Sequence, residues 1–375
     1  MRKGAIGLRK PATPTSAGEI LLLCRPRHAI QRTMRLRSAA CLLVLAAACG
    51  GGTSDPADDT SPKSYAFGPY TVAAGEEVVS NCVQITLHND ADVYVNSVEL
   101  TTGPGFHHSN WFYVPEADFF GDDGTFPCDS RNFSEPSAAI FGGVLFAQST
   151  QTPHEIQAFP PGVAVRVPAH SKLFAQIHLL NATDAPVTLN PSIALTPLAL
   201  ADVTTQLAAI SFEDQALGLP PQKQSRFTVD CDLAPQSELL TGADPTFHIY
   251  YALAHYHTLG TGLTFEAVRP DGTATMIYST TTHIGDTLGG PIDPAFDMTG
   301  YTRLRVSCNY FNNTDATVQW GTGNQEMCVF LAFSDSAYNW GGGATSPDAP
   351  GDATPDGDVM TYKHACSVYT NDAAR

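Results

Sequence analysis

Residues 163–179, VAVRVPAHSKLFAQIHL, carry a period of two. Val163, Val165 and Val167 alternate with Ala164 and Arg166. Leu173, Ala175, Ile177 and Leu179 alternate with Lys172, Phe174, Gln176 and His178. Successive side chains of a strand point to opposite faces, so both runs read as strands. Residues 263–268 (LTFEAV) and 273–278 (TATMIY) flank a turn at Pro270-Asp271-Gly272 and read as a hairpin. Residues 304–308 and 316–320 are further short strands, and no stretch carries a sustained helical period with caps. Many short strands separated by Gly, Pro, Asn and Asp imply an all-β chain. Its 375 residues suit two tandem antiparallel β-sandwich, jelly-roll-like domains, at 64–203 and 204–375.

The first 49 residues read as a leader. Arg35 and Arg37 precede a short apolar run, residues 41–48 (CLLVLAAA), too short to span a bilayer as a helix. Ala46-Ala47-Ala48 then precede Cys49, and a Gly-, Asp- and Pro-containing tether runs over 50–63. This resembles a bacterial lipoprotein signal starting at Met34, with Cys49 lipidated and residues 50–63 as a flexible tether. The expectation is an exported chain, anchored at the cell envelope or surface by lipid alone; plain secretion after cleavage near Ala48 is the alternative. Residues 1–48 hold nine of the 20 basic residues and one acid, Glu19. The remainder has 11 basic and 36 acidic residues, a net charge of -25. Such a surface repels nucleic acid and anionic headgroups, which excludes nucleic-acid binding as a reading.

Setting aside Cys24, Cys41 and Cys49 leaves Cys82, Cys128, Cys231, Cys308, Cys328 and Cys366. An even number in an exported chain reads as disulfides, and six cysteines allow fifteen pairings. None has C-x-x-C spacing, which argues against a thiolate metal site. Residues 340–358 are Gly-rich and acidic and read as a flexible surface loop.

Chemistry concentrates in four segments. His107-His108 lies in FHHSNWFYVP, His178 in FAQIHLL, His255-Tyr-His257 in YALAHYHTLG and Met327 in NQEMCVFL. Imidazole suits Cu, Zn, Fe and Ni, whereas a thioether is soft and favours Cu(I). Residues i and i+2 share a strand face, so His255 and His257 can hold one ion together, with Leu253 and Leu259 beside them. Gln176 shares a face with His178. Met327 shares one with Val329 and Leu331, while Cys328 points away. The adjacent His107 and His108 need a bend to act together, and Gly103-Pro104-Gly105 stands just upstream.

With these residues in view, roughly residues 75–370 resemble the copper type II, ascorbate-dependent monooxygenases. Peptidylglycine α-hydroxylating monooxygenase and dopamine β-monooxygenase are familiar members. Residues 159–168 (FPPGVAVRVP), Gln176-Ile-His178, His255-Tyr-His257-Thr-Leu-Gly260 and Glu326-Met327-Cys328 are similar to that family's motifs, in the same order. The resemblance implies two β-sandwich domains with one copper each. His107, His108 and His178 would hold an electron-transfer copper, with Gln176 on the electron path. His255, His257 and Met327 would hold the copper where O₂ reacts. It further implies ascorbate as reductant, a solvent-filled cleft between the coppers, and disulfides Cys82–Cys128, Cys231–Cys366 and Cys308–Cys328.

The departures bear on substrate. Where the peptide-amidating member anchors a carboxylate with Arg, Asn and Tyr, this chain has Leu253, Val329 and Leu331. None can pair a carboxylate. The expectation is a monomeric monooxygenase for a small organic substrate other than a peptidylglycine. A non-catalytic copper-binding or copper-delivery lipoprotein is the reading from another class. A zinc hydrolase is disfavoured, because Met is a poor zinc ligand and no H-E-x-x-H is present. His88, His154, His170, His248, His283 and His364 carry no matching role.

Overall fold

A computed structural model describes residues 59–345 and 353–373. The alternating runs form the strands Val163–Val167 and Ser171–Leu180. Val163, Val165, Val167, Leu173, Ala175, Ile177 and Leu179 all enter one core, as their spacing demands. Phe174 turns to the opposite face and packs with Phe112, Phe126 and Phe133 around the Cys82–Cys128 disulfide. Residues 263–268 and 273–278 lie in the strands Gly260–Val268 and Ala274–Thr280, which pair antiparallel. Gly272 takes a φ of 91° in the turn between them, a backbone angle that favours glycine.

The chain is all-β, built as two β-sandwiches that share one sheet. In the amino half, Lys63–Ala66, Ser192–Leu198, Val93–Thr101 and Val163–Val167 pair in that order. They pack against a five-stranded sheet ordered Gly124–Pro127, Glu77–Thr86, Ser171–Leu180, Phe106–Pro115, Gly143–Ala147. The first sheet runs on into the carboxyl half through Thr205–Asp214, Val329–Ser334, His248–His255 and Gly289–Asp297. A six-stranded sheet centred on Gly260–Val268, Arg303–Asn312 and Lys223–Asp232 covers it.

The halves interlock. Strand Thr205–Asp214 gives Leu207 and Ala209 to the amino core and Ile210 and Phe212 to the carboxyl core. Tyr251, Leu253, Leu331 and Phe333 of the carboxyl half complete the amino core. Phe159 packs edge-on against Tyr251 and Phe333, with ring centroids 5.9 and 5.2 Å apart.

Three features depart from the sequence reading. Pairing is mainly antiparallel, but Thr205–Asp214 runs parallel to both Val163–Val167 and Tyr338–Ala344, and Lys223–Asp232 parallel to Val359–Ala365. Among the described residues two short α-helices occur, α1 (Glu135–Phe141) and α2 (Ala234–Thr241). The start of the Gly-rich acidic segment is a strand, Tyr338–Ala344, with Trp340 buried. Its glycines permit close approach: a Cβ on Gly342 would stand 2.4 Å from the Ser367 carbonyl oxygen.

The disulfides are Cys82–Cys128, Cys231–Cys366 and Cys308–Cys328. Such bonds persist in oxidising compartments, in keeping with an exported protein. Among the described residues no helix is long and apolar enough to cross a membrane. The leader, Cys49 and residues 50–58 of the tether lie outside the described residues.

Candidate metal centre

The adjacent His107 and His108 lie on strand Phe106–Pro115, against strand Ser171–Leu180. His108 pairs with His178 and Phe106 with Leu179, so His107 is the extra residue of a β-bulge. A bulge sets two residues of one strand opposite one of its neighbour. That resolves the problem of two adjacent ligands on a strand. The bend expected near Gly103–Gly105 falls within the strand itself.

On the carboxyl side, strand His248–His255 ends at His255, and His257 stands in the turn that follows. Glu326 holds that turn. Its carboxylate accepts the His257 amide at 2.9 Å and the Leu259 amide at 2.7 Å. Burial pushes the Glu326 carboxyl up to about 7, against the pull of those amides. Because the strand ends, Leu259 does not share the face of Leu253; it packs into the carboxyl core while Leu253 enters the amino core. Met327 lies just before strand Val329–Ser334. The Tyr310 hydroxyl donates to the Met327 carbonyl at 2.7 Å, and Cys328 is tied to Cys308. The thioether is thus carried on a backbone fixed on both sides.

The five imidazoles meet in one cluster. Ring centroids are 4.3 Å apart for His107–His178, 5.2 Å for His107–His108 and 5.5 Å for His255–His257. The two sets also touch each other, at 4.7 Å for His108–His255 and 5.2 Å for His107–His257. The resemblance implied a solvent-filled cleft at this place. Here the interlocked halves bring the rings into contact instead. Each histidine is at most 9 % exposed. Burial holds every one of them below the ordinary imidazole range, to about 2 for His107 and about 3 for His255; neighbouring imidazoles add to the effect at His107, His108, His255 and His257, whereas Glu77 opposes it at His178. They are therefore neutral, the form that ligates a metal.

Their hydrogen bonds select the ligating atoms. His178 Nε2 lies 2.8 Å from a Glu77 carboxylate oxygen, an acceptor, which leaves the Nδ1 lone pair free. His257 Nδ1 donates to the Gln325 carbonyl at 2.8 Å, which frees Nε2. His255 Nδ1 faces the Gln148 carbonyl at 3.4 Å, which likewise frees Nε2. These three freed atoms, and both ring nitrogens of His107 and of His108, are buried without a protein partner. Buried polar atoms left unpaired are costly. An ion would satisfy them, with Glu77 and the two carbonyls orienting the rings from behind. Two triads bring one ring nitrogen each within 4.8 Å: His107, His108 and His178, and also His108, His255 and His257. The donor set fits a transition metal.

A loop that the sequence reading missed joins the two sets. Residues 148–152 are polar yet mostly buried. The Gln151 amide donates to the His107 carbonyl, and the Thr150 hydroxyl donates to the Tyr256 carbonyl at 3.1 Å. Glu155 pins the loop by accepting the Ser149 amide and hydroxyl, both at 2.7 Å. Ser149 Oγ in turn accepts the Leu288 amide at 2.8 Å.

A cavity of about 330 Å³ opens beside the cluster. His108, His178, His255 and Met327 line it, with Gln176, Leu253, Val329 and Leu331. All three expected pocket residues therefore share one wall space with the ligand candidates. Gln176 also donates to the Val79 carbonyl at 2.8 Å. The sequence reading missed Asn110, Glu135 and Glu213 on the same wall. Glu135 opens α1 behind the N-cap Ser134, with Pro136 following. The Ser-Glu-Pro run was the available signal for that helix start. Asn110 donates to the Glu135 carboxyl at 3.2 Å. Burial pushes that carboxyl up to about 7, the Asn110 bond opposes the shift and the Glu213 charge adds to it.

A raised carboxyl binds its proton more tightly folded than unfolded, so its contribution to stability falls as pH rises from about 4.5 to about 7. Glu135→Gln should therefore gain ~1–3 kcal/mol on wild type between pH 4.5 and pH 8, discounted for the partial exposure of the residue. Denaturant midpoints of both proteins across that range check it; parallel profiles would refute the shift.

No family model matches the chain, and no curated protein matches it in sequence. Solved structures are similar only weakly. The major capsid protein P2 of bacteriophage PM2 has a TM-score of 0.30 at 8 % identity, covering 73 % of this chain and 97 % of that one. A putative secreted protein from Parabacteroides distasonis has a TM-score of 0.19 at 10 % identity, covering 75 % and 91 %. The archaeal virus turret protein with a triple jelly-roll fold has a TM-score of 0.21 at 10 % identity, covering 71 % and 59 %. At these values the likeness carries no argument about what the chain does.

Proposed function

We propose that this protein is a copper-dependent monooxygenase of the copper type II, ascorbate-dependent kind, acting on a small organic substrate. The observation that carries the reading is the convergence of His107, His108, His178, His255 and His257 in one buried cluster, beside a cavity that Met327 also lines and that is large enough for a small molecule. A thioether among buried neutral imidazoles favours copper that spends time reduced. When bound, copper would supply one-electron redox chemistry with O₂ as co-substrate and a reductant such as ascorbate. The protein's part is to hold and shield. Glu77, Gln148 and Gln325 orient the imidazoles, which are themselves buried. Leu253, Val329 and Leu331 give the substrate an apolar surface. Glu135 and Glu213 stand on the same wall and disfavour a substrate carboxylate, as the Leu, Val and Leu replacements already do.

The test uses purified mature protein. It should bind two copper ions per chain and show ascorbate-dependent O₂ uptake coupled to hydroxylation of a member of a panel of apolar substrates. Glycine-extended peptides should be poor substrates. Retention of zinc in preference to reduced copper would count against the assignment.

The proposal includes a lipid anchor at Cys49, on the strength of Ala46-Ala47-Ala48 before it and the tether behind. Mass spectrometry of the native N-terminus should find a diacyl or triacyl group on Cys49. An unmodified N-terminus within residues 46–52 would leave plain secretion.

A further inference from the structure

His108 belongs to both triads, and each triad holds its ring nitrogens within 4.8 Å. A neutral imidazole carries one lone pair and one N–H, so it ligates one ion at a time, and the two triads cannot both be complete while His108 stays neutral. His108 also differs from the three histidines whose rings are oriented by hydrogen bonds. Neither of its ring nitrogens has a partner, so nothing commits the ring to one side. Its centroid is 4.7 Å from His255 and 5.2 Å from both His107 and His178. Met327 lines the same cavity as His108 and His255. His178 lines it too, but the backbone of Met327 belongs to the carboxyl half: Glu326 beside it accepts the His257 amide and Tyr310 donates to its own carbonyl, so Met327 is the natural fourth donor of the carboxyl-side set.

We propose that the first copper ion is held across the two halves by His108, His255, His257 and Met327. This rests on the copper reading above and adds a ligand that the reading does not assign. Tetrahedral metal–nitrogen bonds of about 2.0–2.1 Å need nitrogens about 3.3 Å apart, a short closure from the arrangement seen. The loop over residues 148–152 already holds the halves in place for it, through Gln151 to His107 and Thr150 to Tyr256. Four protein donors leave no open position, so the one-ion form stores metal without reacting. A second ion takes His108 back to His107 and His178 and opens the carboxyl-side site. His108 thereby couples reactivity to full loading.

The test is X-ray absorption and competition titration with Cu(I) alone on the full mature chain. At half an equivalent, wild type should show three imidazole nitrogens and one sulfur around copper. His108→Ala should drop one nitrogen and weaken the first ion at least tenfold, whereas His107→Ala and His178→Ala should leave it unchanged. A first ion lacking sulfur, or equal weakening in all three variants, would overturn the shared-ligand proposal while leaving the monooxygenase reading intact. Failure of wild type to bind Cu(I) at all would overturn both. The unchanged variants report on folding, and Met327→Ala, which should remove the sulfur signal and leave three nitrogens, provides a second arm that does not touch the bulge.

Discussion

Met327→Ala is expected to abolish O₂-coupled hydroxylation while copper held by His107, His108 and His178 remains reducible. Removing an outer partner of a metal ligand costs roughly 10–100-fold in affinity or activity, and removing the ligand itself should exceed that. The loss should be confined to chemistry. Met327 sits between Glu326, whose carboxylate grips the turn at residues 257–259, and Cys328, which is disulfide-bonded. Neither depends on the thioether. Product formation, copper content and reduction by ascorbate in the same preparation separate these effects. Wild-type turnover in this variant would overturn the proposed mechanism.

Replacing Cys231 and Cys366 together by serine should give the largest loss of stability of the three disulfides. The bond closes a separation of 135 residues, against 46 and 20 for the others. In the chain-entropy account longer loops gain more, and removal costs roughly 2–5 kcal/mol. The local consequence concerns the cavity. Strand Ser367–Asp372 follows Cys366 directly and carries Tyr369 on the cavity wall. It pairs with Tyr338–Ala344 of the shared sheet. Thermal unfolding with intact and replaced cysteines measures the first effect. Substrate affinity, compared at a temperature where both proteins are folded, measures the second. Equal stability of the two proteins would contradict the loop argument.

The strands that position the candidate site were legible wherever one face is apolar and the other polar. Val163–Val167 and Ser171–Leu180 sent their alternating residues into the core as their spacing requires. The three disulfides agree with the pairings that the family resemblance implied. What escaped lacked periodicity. α1 has seven residues, too few to display a helical repeat, so Glu135 went unseen on the cavity wall. Residues 148–152 look like an exposed polar loop but are buried, because Glu155 and the neighbouring backbone satisfy their polar atoms. Gly341, Gly342 and Gly343 read as a loop but allow close strand contact. Leu259 left its expected face because strand His248–His255 stops four residues earlier. The contact between the two histidine sets follows from Tyr251, Leu253, Leu331 and Phe333 docking in the amino core, a long-range fact invisible to any local pattern.

The bulge at His107 also sets how this site can change over evolution. Because the neighbouring pair owes its common direction to one surplus backbone unit, substituting side chains around it leaves that direction intact. Losing one residue between Phe106 and Ser109 is another matter. The strand would revert to simple alternation, with Phe106 and Leu179 still paired, leaving a single histidine facing His178. Point substitution can therefore tune the chemistry gradually, whereas one deleted codon would remove it in a single step while sparing most of the fold.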